Sequence, residues 1–164
     1  MEFLFEGLNE NQKKAVLHKD GPLLVLAGAG AGKTRAISHR VAYLVHQGVK
    51  PEKILAITFT NKAAQEMKDR IGALLKRLGE NLNFYNQPFV STFHSLGVSI
   101  LKKNGSKIGI SKNFSIFDQG DSLSLIKEAV KEMNLDEKQF QPSRVQSIIS
   151  RYKGDLITND EYRE

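Results

Sequence analysis

An apolar run that leads into a glycine-rich loop constrains this chain more than any other feature. Residues Leu23–Ala27 are all apolar and have the length of one strand, which is typical of a strand covered on both faces in a parallel sheet. After the loop, a helical period begins at Lys33, and Gly48 stands where a helix C-terminal glycine is expected. The apolar face of that helix comprises Ile37, Val41, Leu44 and Val45. The sequence therefore predicts a strand, a loop and a helix in succession.

The same alternation continues further along the chain. Ile54–Thr58 predicts a second buried strand, and Asn61 can cap a helix that ends at Gly79. The apolar face of this helix comprises Ala64, Met67, Ile71, Leu74, Leu75 and Leu78. Residues 88–93 predict a third short strand, and residues 94–103 predict the helix that follows it. Such a series predicts an α/β fold with a parallel sheet and right-handed crossovers.

Only helical periods remain in the last third of the chain. One predicted helix follows Asp118 and another follows Pro142. We therefore expect a partial α/β domain over residues 1–103 and a partial helical region over residues 104–164, joined by a linker over residues 103–111.

The glycine-rich loop, residues 27–34, has the composition of a Walker A phosphate-binding loop. Glycines let successive backbone N–H groups turn toward one point, and the following helix adds the positive end of its dipole. In such a loop Lys33 contacts the β and γ phosphates of ATP and the Thr34 hydroxyl binds Mg²⁺, so both are candidate catalytic groups. The alternative is a glycine-rich turn with a chance Gly-Lys-Thr. The predicted ATP-binding residues of this segment are Ala27, Gly28, Ala29, Gly30, Ala31, Gly32, Lys33, Thr34 and Arg35.

A segment before the loop extends the pattern. Leu8–Val16 resembles the Q motif of the superfamily 1 DNA helicases of the UvrD/Rep/PcrA type. The resemblance implies that Gln12 contacts adenine, because a side-chain amide can both donate to and accept from the adenine edge. Asn9 and Gln12 also have the spacing of a helix capping box, and the alternative is that Gln12 only completes this cap.

Two segments that follow predicted strands resemble the DNA-contacting motifs of the same family. Thr58–Met67 is similar to motif Ia, and Ser91–Gly97 is similar to motif Ib. Phe59 offers a stacking surface for a base, and a helix start at this point offers N–H groups to phosphate. Taken alone, Phe59 is more typical of a core aromatic, and His94 is more typical of a packed or solvated histidine. The resemblance implies DNA contacts from Thr58, Phe59, Thr60, Asn61, Lys62, Thr92, Phe93 and His94.

The resemblance spans nearly the whole chain and implies a fold as well as an activity. The fold is a P-loop, RecA-like domain, called subdomain 1A, followed by a helical subdomain 1B. The activity is that of a helicase that uses ATP and Mg²⁺, moves 3′→5′ on single-stranded DNA and unwinds partly duplex DNA in repair or replication. A location in the bacterial cytoplasm, at the nucleoid, is implied with it.

The acidic motif II that this activity requires is not recognisable in the sequence. The family supplies an Asp-Glu pair at the end of an apolar strand, where it holds Mg²⁺ and activates water. Asp160-Glu161 lacks the preceding strand, and Phe114–Asp118 lacks a following glutamate, so both are interpreted as helix starts. We therefore expect the fragment to lack ATPase and helicase activity. We also expect an incomplete first domain, with either an exposed sheet edge that invites association or lowered stability.

The charge of the chain fits a polyanionic partner. The net charge is +6, and the excess lies in residues 1–95, with 13 Lys and Arg against 8 Asp and Glu. The chain has no cysteine, which excludes disulfides and thiolate metal sites, and it has no apolar stretch of membrane-spanning length. Two other functions stay open, a small P-loop kinase or phosphotransferase and a non-catalytic single-strand-binding module.

Overall fold

The computed structural model describes residues 2–80, 83 and 86–163. The chain divides into two compact units, Met1–Lys112 and Asn113–Glu164. Within the described residues, no helix has both the length and the apolar character needed to cross a lipid bilayer.

The first unit is an α/β unit with a small parallel sheet. In the described part of the chain this sheet has two strands, and the two units together have six α-helices. Short 3-10 helices cover Glu2–Phe5, Pro51–Lys53 and Gly105–Ile108. The regular elements of the first unit are α1 (Glu10–Leu17), α2 (Lys33–His46), β1 (Leu55–Thr58), α3 (Asn61–Arg77), β2 (Phe89–Thr92) and α4 (Phe93–Asn104).

The parallel pair of strands brings the ends of two segments together. β1 and β2 pair from Leu55 opposite Phe89 to Thr58 opposite Thr92, with α3 as the crossover between them. Helices α1 and α3 both pack against α2, which places α2 at the centre of the unit. The core between these helices and β1 is apolar and comprises Leu4, Leu8, Val16, Val41, Ala42, Tyr43, Val45, Ile54, Ala56, Met67, Ile71, Leu74 and Leu75.

The strand predicted over Leu23–Ala27 is wrong. These residues have no regular structure. The side chains of residues 23–26 are exposed, with exposed fractions from 43% for Leu23 to 86% for Leu26. The physical reason is that a strand forms only when a neighbour pairs with it, and among the described residues β1 and β2 pair with each other and with no third strand. Ile37 of α2, which lines the same shallow hollow as Leu23 and Val25, is consequently 45% exposed although its period predicted burial.

The N-cap predicted for the helix after β1 is displaced by one residue. Asn61 is the first residue of α3, and the capping side chain is that of Thr60, whose Oγ1 accepts a hydrogen bond from the Ala63 N–H at 3.1 Å. Thr60 has the extended backbone that an N-cap needs, with φ −116° and ψ 148°. The apolar face predicted for this helix is confirmed, because Ala64, Met67, Ile71, Leu74 and Leu75 are buried.

The second unit consists of α5 (Gln119–Glu132) and α6 (Pro142–Gly154), which pack on each other. Asp118 is the N-cap of α5 in a complete capping box, which confirms the helix start predicted there. This unit begins at Asn113, nine residues later than the α/β boundary expected after Lys103, because α4 and the 3-10 helix after it belong to the first unit.

Asp160-Glu161, the other segment compared with the acidic motif II, lies in a turn. Asp160 and Glu161 follow α6 in irregular structure, and the expected helix does not form. One Glu161 carboxylate oxygen accepts from both the backbone N–H and the hydroxyl of Thr158, each at 2.8 Å. The backbone N–H of Thr158, followed by its hydroxyl, holds the pKa of Glu161 below its ordinary value. The carboxylate therefore closes a local turn.

Candidate functional site

The glycine-rich loop turns in the way that glycine permits. Gly30 and Gly32 have φ values of +74° and +79°, the left-handed region that other residues rarely adopt. The Ala31 N–H donates to the Gly28 carbonyl at 3.3 Å and closes the turn before α2. The part of the loop outside α2 has no helical structure and comprises Ala27, Gly28, Ala29, Gly30, Ala31 and Gly32.

The loop ends at the amino terminus of a well-formed helix. The first intrahelical bond of α2 runs from the Ala36 N–H to the Gly32 carbonyl at 3.0 Å. The N–H groups of Lys33, Thr34 and Arg35 come before that bond and have no intrahelical acceptor. Unpaired N–H groups together with the positive end of a helix dipole favour an anion at this position.

The Lys33 side chain folds back over the loop. Its Nζ donates to the carbonyl oxygens of Ala27 and Gly28 at 3.0 and 2.7 Å. An ammonium group has three N–H donors, so one remains for a ligand while two fix the side chain over the loop. The charged end of Lys33 is thus held at the loop that the sequence assigned to phosphate.

Gln12 joins helix α1 to the same loop. Its Nε2 donates to the Ala31 carbonyl at 2.9 Å, and its Oε1 accepts from the Asn9 N–H at 2.9 Å. The capping box predicted from Asn9 and Gln12 is therefore confirmed, and the side chain also has the cross-loop contact. A primary amide has two N–H donors and two oxygen lone pairs, so one of each remains.

The close approach of Gln12 also explains one glycine. A Cβ on Gly32 would lie 2.6 Å from Gln12 Nε2, which is closer than real Cβ atoms come. Two features therefore favour glycine at position 32. Its φ is positive, and a Cβ there would displace the Gln12 amide. Arg35 fixes the neighbouring segment in a similar way, because its Nη1 donates to the Gly7 carbonyl at 3.1 Å.

An open cavity of about 670 Å³ lies at this point. Glu66 and Arg70 of α3 also line this cavity, and neither was predicted to bind nucleotide. Each of them comes one residue before a buried apolar position, Met67 and Ile71, so the helical period alone could have placed them beside the α2-facing side of α3. The other lining residues are Gly7, Asn9, Gln12, Gly30, Ala31, Gly32, Lys33, Thr34 and Arg35.

The electrostatic character of this cavity is positive. Lys33, Arg35 and Arg70 contribute three positive charges, and Glu66 contributes the single carboxylate of the lining. Glu66 and Arg70 form no ion pair with each other or with any other described residue. The cavity thus combines basic side chains with unpaired backbone N–H groups, which is the donor set that a polyphosphate requires.

Fewer groups are available for a divalent cation. Thr34 lines the cavity with a hydroxyl, and its carbonyl accepts from the Ser38 hydroxyl at 2.9 Å. The described residues contain no group of three or more His, Asp or Glu side chains that could hold a metal ion by themselves. The Thr34 hydroxyl could therefore supply one ligand to Mg²⁺, and water and bound phosphates would have to supply the others.

A second group of candidate residues meets at the carboxyl ends of the two strands. The rings of Phe59 and Phe93 lie 5.4 Å apart between centroids, and the exposed fractions of these side chains are 85% and 55%. The parallel register that places Thr58 beside Thr92 produces this contact. Phe59 is therefore a surface residue, although an isolated phenylalanine is more typical of the core. We call Phe59 and Phe93 the aromatic pair.

Two threonines fix the backbone on either side of the aromatic pair. Thr60 caps α3, and Thr92 caps α4 by accepting from the Ser95 N–H at 3.2 Å. Thr92 is only 5% exposed, so its hydroxyl lies below the surface that Phe93 forms. The remaining predicted DNA contacts that are exposed here are Asn61, Lys62 and His94.

Fold and site together define an α/β protein with a glycine loop at a helix start and exposed aromatic rings at the carboxyl ends of parallel strands. The chain belongs to the UvrD/REP helicase N-terminal domain family, which it matches over residues 8–164.

Three curated relatives agree with this family. The ATP-dependent DNA helicase PcrA of Bacillus subtilis is 48% identical over 160 residues, 97% of this chain and 21% of that protein. The proteins of the same name from Leuconostoc citreum and Staphylococcus aureus (strain Mu50 / ATCC 700699) are each 45% identical, over 99% and 96% of this chain and 21% of their own length. The chain thus spans about a fifth of the length of these relatives.

Proposed function

We propose that this chain is the ATP-binding, P-loop part of an ATP-dependent DNA helicase. The observation that carries the proposal is the link from Gln12 Nε2 to the Ala31 carbonyl at 2.9 Å. It joins a side chain suited to adenine with a loop suited to phosphate, in a chain whose relatives are named ATP-dependent DNA helicases. The P-loop subdomain 1A would lie within the first unit, Met1–Lys112, and the helical subdomain 1B would include the second unit, Asn113–Glu164.

Adenine would be recognised by the one donor and the one acceptor of the Gln12 amide that form no bond within the protein. Its remaining N–H can donate to adenine N7, and its remaining oxygen lone pair can accept from the N6 amino group. Guanine presents two acceptors, O6 and N7, at the same edge. An amide oxygen facing O6 finds no donor there, so the site is expected to prefer adenine. The bonds to Asn9 and Ala31 hold the amide in this orientation.

The phosphates would be held by the loop and the first turn of α2. The donors are positively charged or partly positive N–H groups. They belong to the third N–H of the Lys33 ammonium, the backbone of Lys33 to Arg35 and the Arg35 side chain. Thr34 would contribute its hydroxyl to Mg²⁺, which neutralises charge between the β and γ phosphates when it is bound. Lys33 and Thr34 are the residues to which we assign a catalytic role.

The DNA strand would lie along the aromatic pair. Stacking of bases on exposed aromatic rings tolerates any sequence, and the starts of α3 and α4 present N–H groups to the phosphate backbone. The contacts that we propose are those of Thr58, Phe59, Thr60, Asn61, Lys62, Thr92, Phe93 and His94. Thr92 would act through its cap of α4, because its hydroxyl is buried.

The whole protein would translocate 3′→5′ on single-stranded DNA and unwind partly duplex DNA in repair or replication. This part of the proposal rests on the family and on the named activity of the relatives. Hydrolysis requires an acid that holds Mg²⁺ and a second acid that activates water. Asp118 and Glu161 of the second unit serve a helix cap and a turn, so we expect these 164 residues alone to bind ATP without hydrolysing it.

Two single substitutions test the nucleotide site. Lys33→Ala removes the ammonium group from the loop and is expected to weaken ATP binding by about 1.5–3 kcal/mol, the usual size of a hydrogen bond to a charged group. Gln12→Ala is expected to abolish the preference for ATP over GTP while phosphate contacts persist. Binding is measured by titration with fluorescent ATP and GTP analogues.

A matched control is Lys53→Ala, because Lys53 lies in the 3-10 helix before β1 and is absent from the cavity lining. It should bind both nucleotides as the wild type does. A wild-type chain that shows no preference for ATP over GTP would contradict the adenine assignment. Unchanged ATP affinity in Lys33→Ala would contradict the phosphate-loop assignment.

A further inference from the structure

Arg40 makes the densest set of side-chain hydrogen bonds to α1 in the described structure. This half-buried residue lies on α2, and its Nη1 donates to the carbonyls of Ala15, Val16 and His18 at 3.0, 3.3 and 2.5 Å. The carbonyls of the last turn of a helix have no intrahelical partner. Arg40 therefore supplies that partner, and its positive charge sits at the negative end of the α1 dipole.

Helix α1 needs such support because it is short. It has eight residues, and helices shorter than about 12–15 residues are marginal in water without tertiary contacts. Its main apolar anchor is Val16, which is fully buried. The amino-terminal end of α1 is held by the bond from Gln12 to Ala31 and by the capping box. The carboxyl-terminal end is held by Arg40.

The two attachment points lie in consecutive segments, the glycine-rich loop and the helix α2 that follows it. Gln12 bonds to the loop that leads into α2, and Arg40 follows Lys33 by seven residues on α2 itself, or about 10 Å along the helix axis. Helix α1 is thus held near its amino terminus by the glycine-rich loop and at its carboxyl terminus by α2, the helix that carries Lys33. The distance and angle between the adenine-facing amide and the phosphate loop are set by these two attachments.

We propose that Arg40 is a positioning residue for nucleotide specificity, acting through α1 on Gln12. The inference rests on the proposed adenine role of Gln12. A hydrogen-bonded recognition group must be held within about half an ångström of its productive position. Release of the carboxyl-terminal end lets α1 tilt about the Gln12–Ala31 bond, which changes the angle at which the free donor and acceptor of the amide face the base while the phosphate loop keeps its own contacts.

The test compares three ligands on four variants of the chain. Dissociation constants are measured for ATP, GTP and inorganic tripolyphosphate, with far-UV circular dichroism as a check of folding. The variants are Arg40→Lys, which keeps the charge, Arg40→Met, which keeps the length without donors, Gln12→Ala, and the double variant of Gln12→Ala with Arg40→Lys. Arg77→Lys is the control, because the Arg77 guanidinium pairs with Glu6 and lies over the Phe3 ring, both of which precede α1.

The expected result is a loss of base discrimination with phosphate binding retained. Arg40→Lys should lower the ATP-to-GTP affinity ratio by about tenfold, with a larger loss in Arg40→Met, and leave tripolyphosphate affinity within about twofold of wild type. In the Gln12→Ala background the Arg40→Lys change should have no further effect on the ratio, because the two residues act on one interaction. Arg77→Lys should keep the wild-type ratio.

Three other outcomes are distinguishable. An unchanged ratio in both Arg40 variants overturns the positioning role. An equal loss of affinity for all three ligands also overturns it, because it indicates general damage to the fold. A wild-type chain without any ATP preference overturns the proposed adenine site itself, before the Arg40 variants are compared.

Discussion

At the scale of single residues, the site depends on side chains whose bonding capacity is divided between structure and ligand. Lys33 uses two of three donors on Ala27 and Gly28. Gln12 uses one donor and one acceptor on Ala31 and Asn9. Such divided bonding orients a group before a ligand arrives and leaves the remaining donor or acceptor for recognition. Because of the same contacts, a Cβ on Gly32 fits only if the Gln12 amide moves away from the loop.

Gly32 provides the sharpest residue-scale prediction. Gly32→Ala adds a methyl group 2.6 Å from Gln12 Nε2 and places alanine at φ +79°. Gly48→Ala is the matched control, because Gly48 has φ +91° but nothing within 4 Å of its added Cβ. Both changes should destabilise the fold by about 1–2 kcal/mol through the left-handed backbone.

Only Gly32→Ala should also reduce nucleotide binding, since it alone displaces the Gln12 amide. Thermal unfolding measures the shared effect, and the ATP-to-GTP affinity ratio measures the separate one. Equal ratios in Gly32→Ala and Gly48→Ala would show that the contact with Gln12 has no bearing on base selection.

At the scale of secondary-structure elements, the sequence predicted those helices and strands whose formation depends on local sequence patterns. The helices α2, α3 and α5 follow from their apolar periods and caps, and all three were predicted. The strand at residues 23–27 was wrong because pairing is non-local: composition shows that a run suits a buried strand but not whether a neighbour pairs with it. The Gln12–Ala31 link, 19 residues apart, was beyond sequence patterns for the same reason.

The aromatic pair was predictable only in part. Each phenylalanine was assigned to DNA through its own motif, whereas the 5.4 Å ring separation results from the register of β1 and β2. Phe59→Leu and Phe93→Leu keep an apolar side chain and remove the stacking face. Each should weaken binding of a labelled oligothymidylate by about 1–3 kcal/mol, the usual contribution of one base stacked on an aromatic ring.

The control for this prediction uses the other end of the same strand pair. Phe89 begins β2 opposite Leu55 and is 38% exposed. Fluorescence anisotropy of Phe89→Leu should give wild-type DNA affinity, and ATP affinity should be unchanged in all three variants. If Phe59→Leu and Phe93→Leu bind the oligonucleotide as tightly as Phe89→Leu does, the aromatic pair is not a base-stacking surface.

At the scale of the whole molecule, apolar surface is distributed unevenly. The first unit has a continuous core around α2 and α3, yet Leu24 and Leu26 are 82% and 86% exposed. Exposed apolar residues that lie singly on a surface need no explanation, whereas an unpaired apolar segment can pair with another chain. The net charge of +6 opposes such association at low ionic strength, because like-charged molecules repel each other.

These two effects predict that the isolated chain self-associates in a salt-dependent way. Raising the salt concentration screens the repulsion over a Debye length of about 8–10 Å near physiological ionic strength, so the apparent mass in sedimentation velocity should increase with salt. Changing Leu24 and Leu26 together to Gln should remove most of that increase, because the exposed run loses its apolar side chains. Lys127→Gln with Lys131→Gln on α5 reduces the net positive charge by two and leaves residues 23–27 unchanged, so it should raise the apparent mass at low salt concentration. A chain that sediments as a monomer at every salt concentration, including concentrations at which the repulsion is screened, would show that residues 23–27 are no association surface.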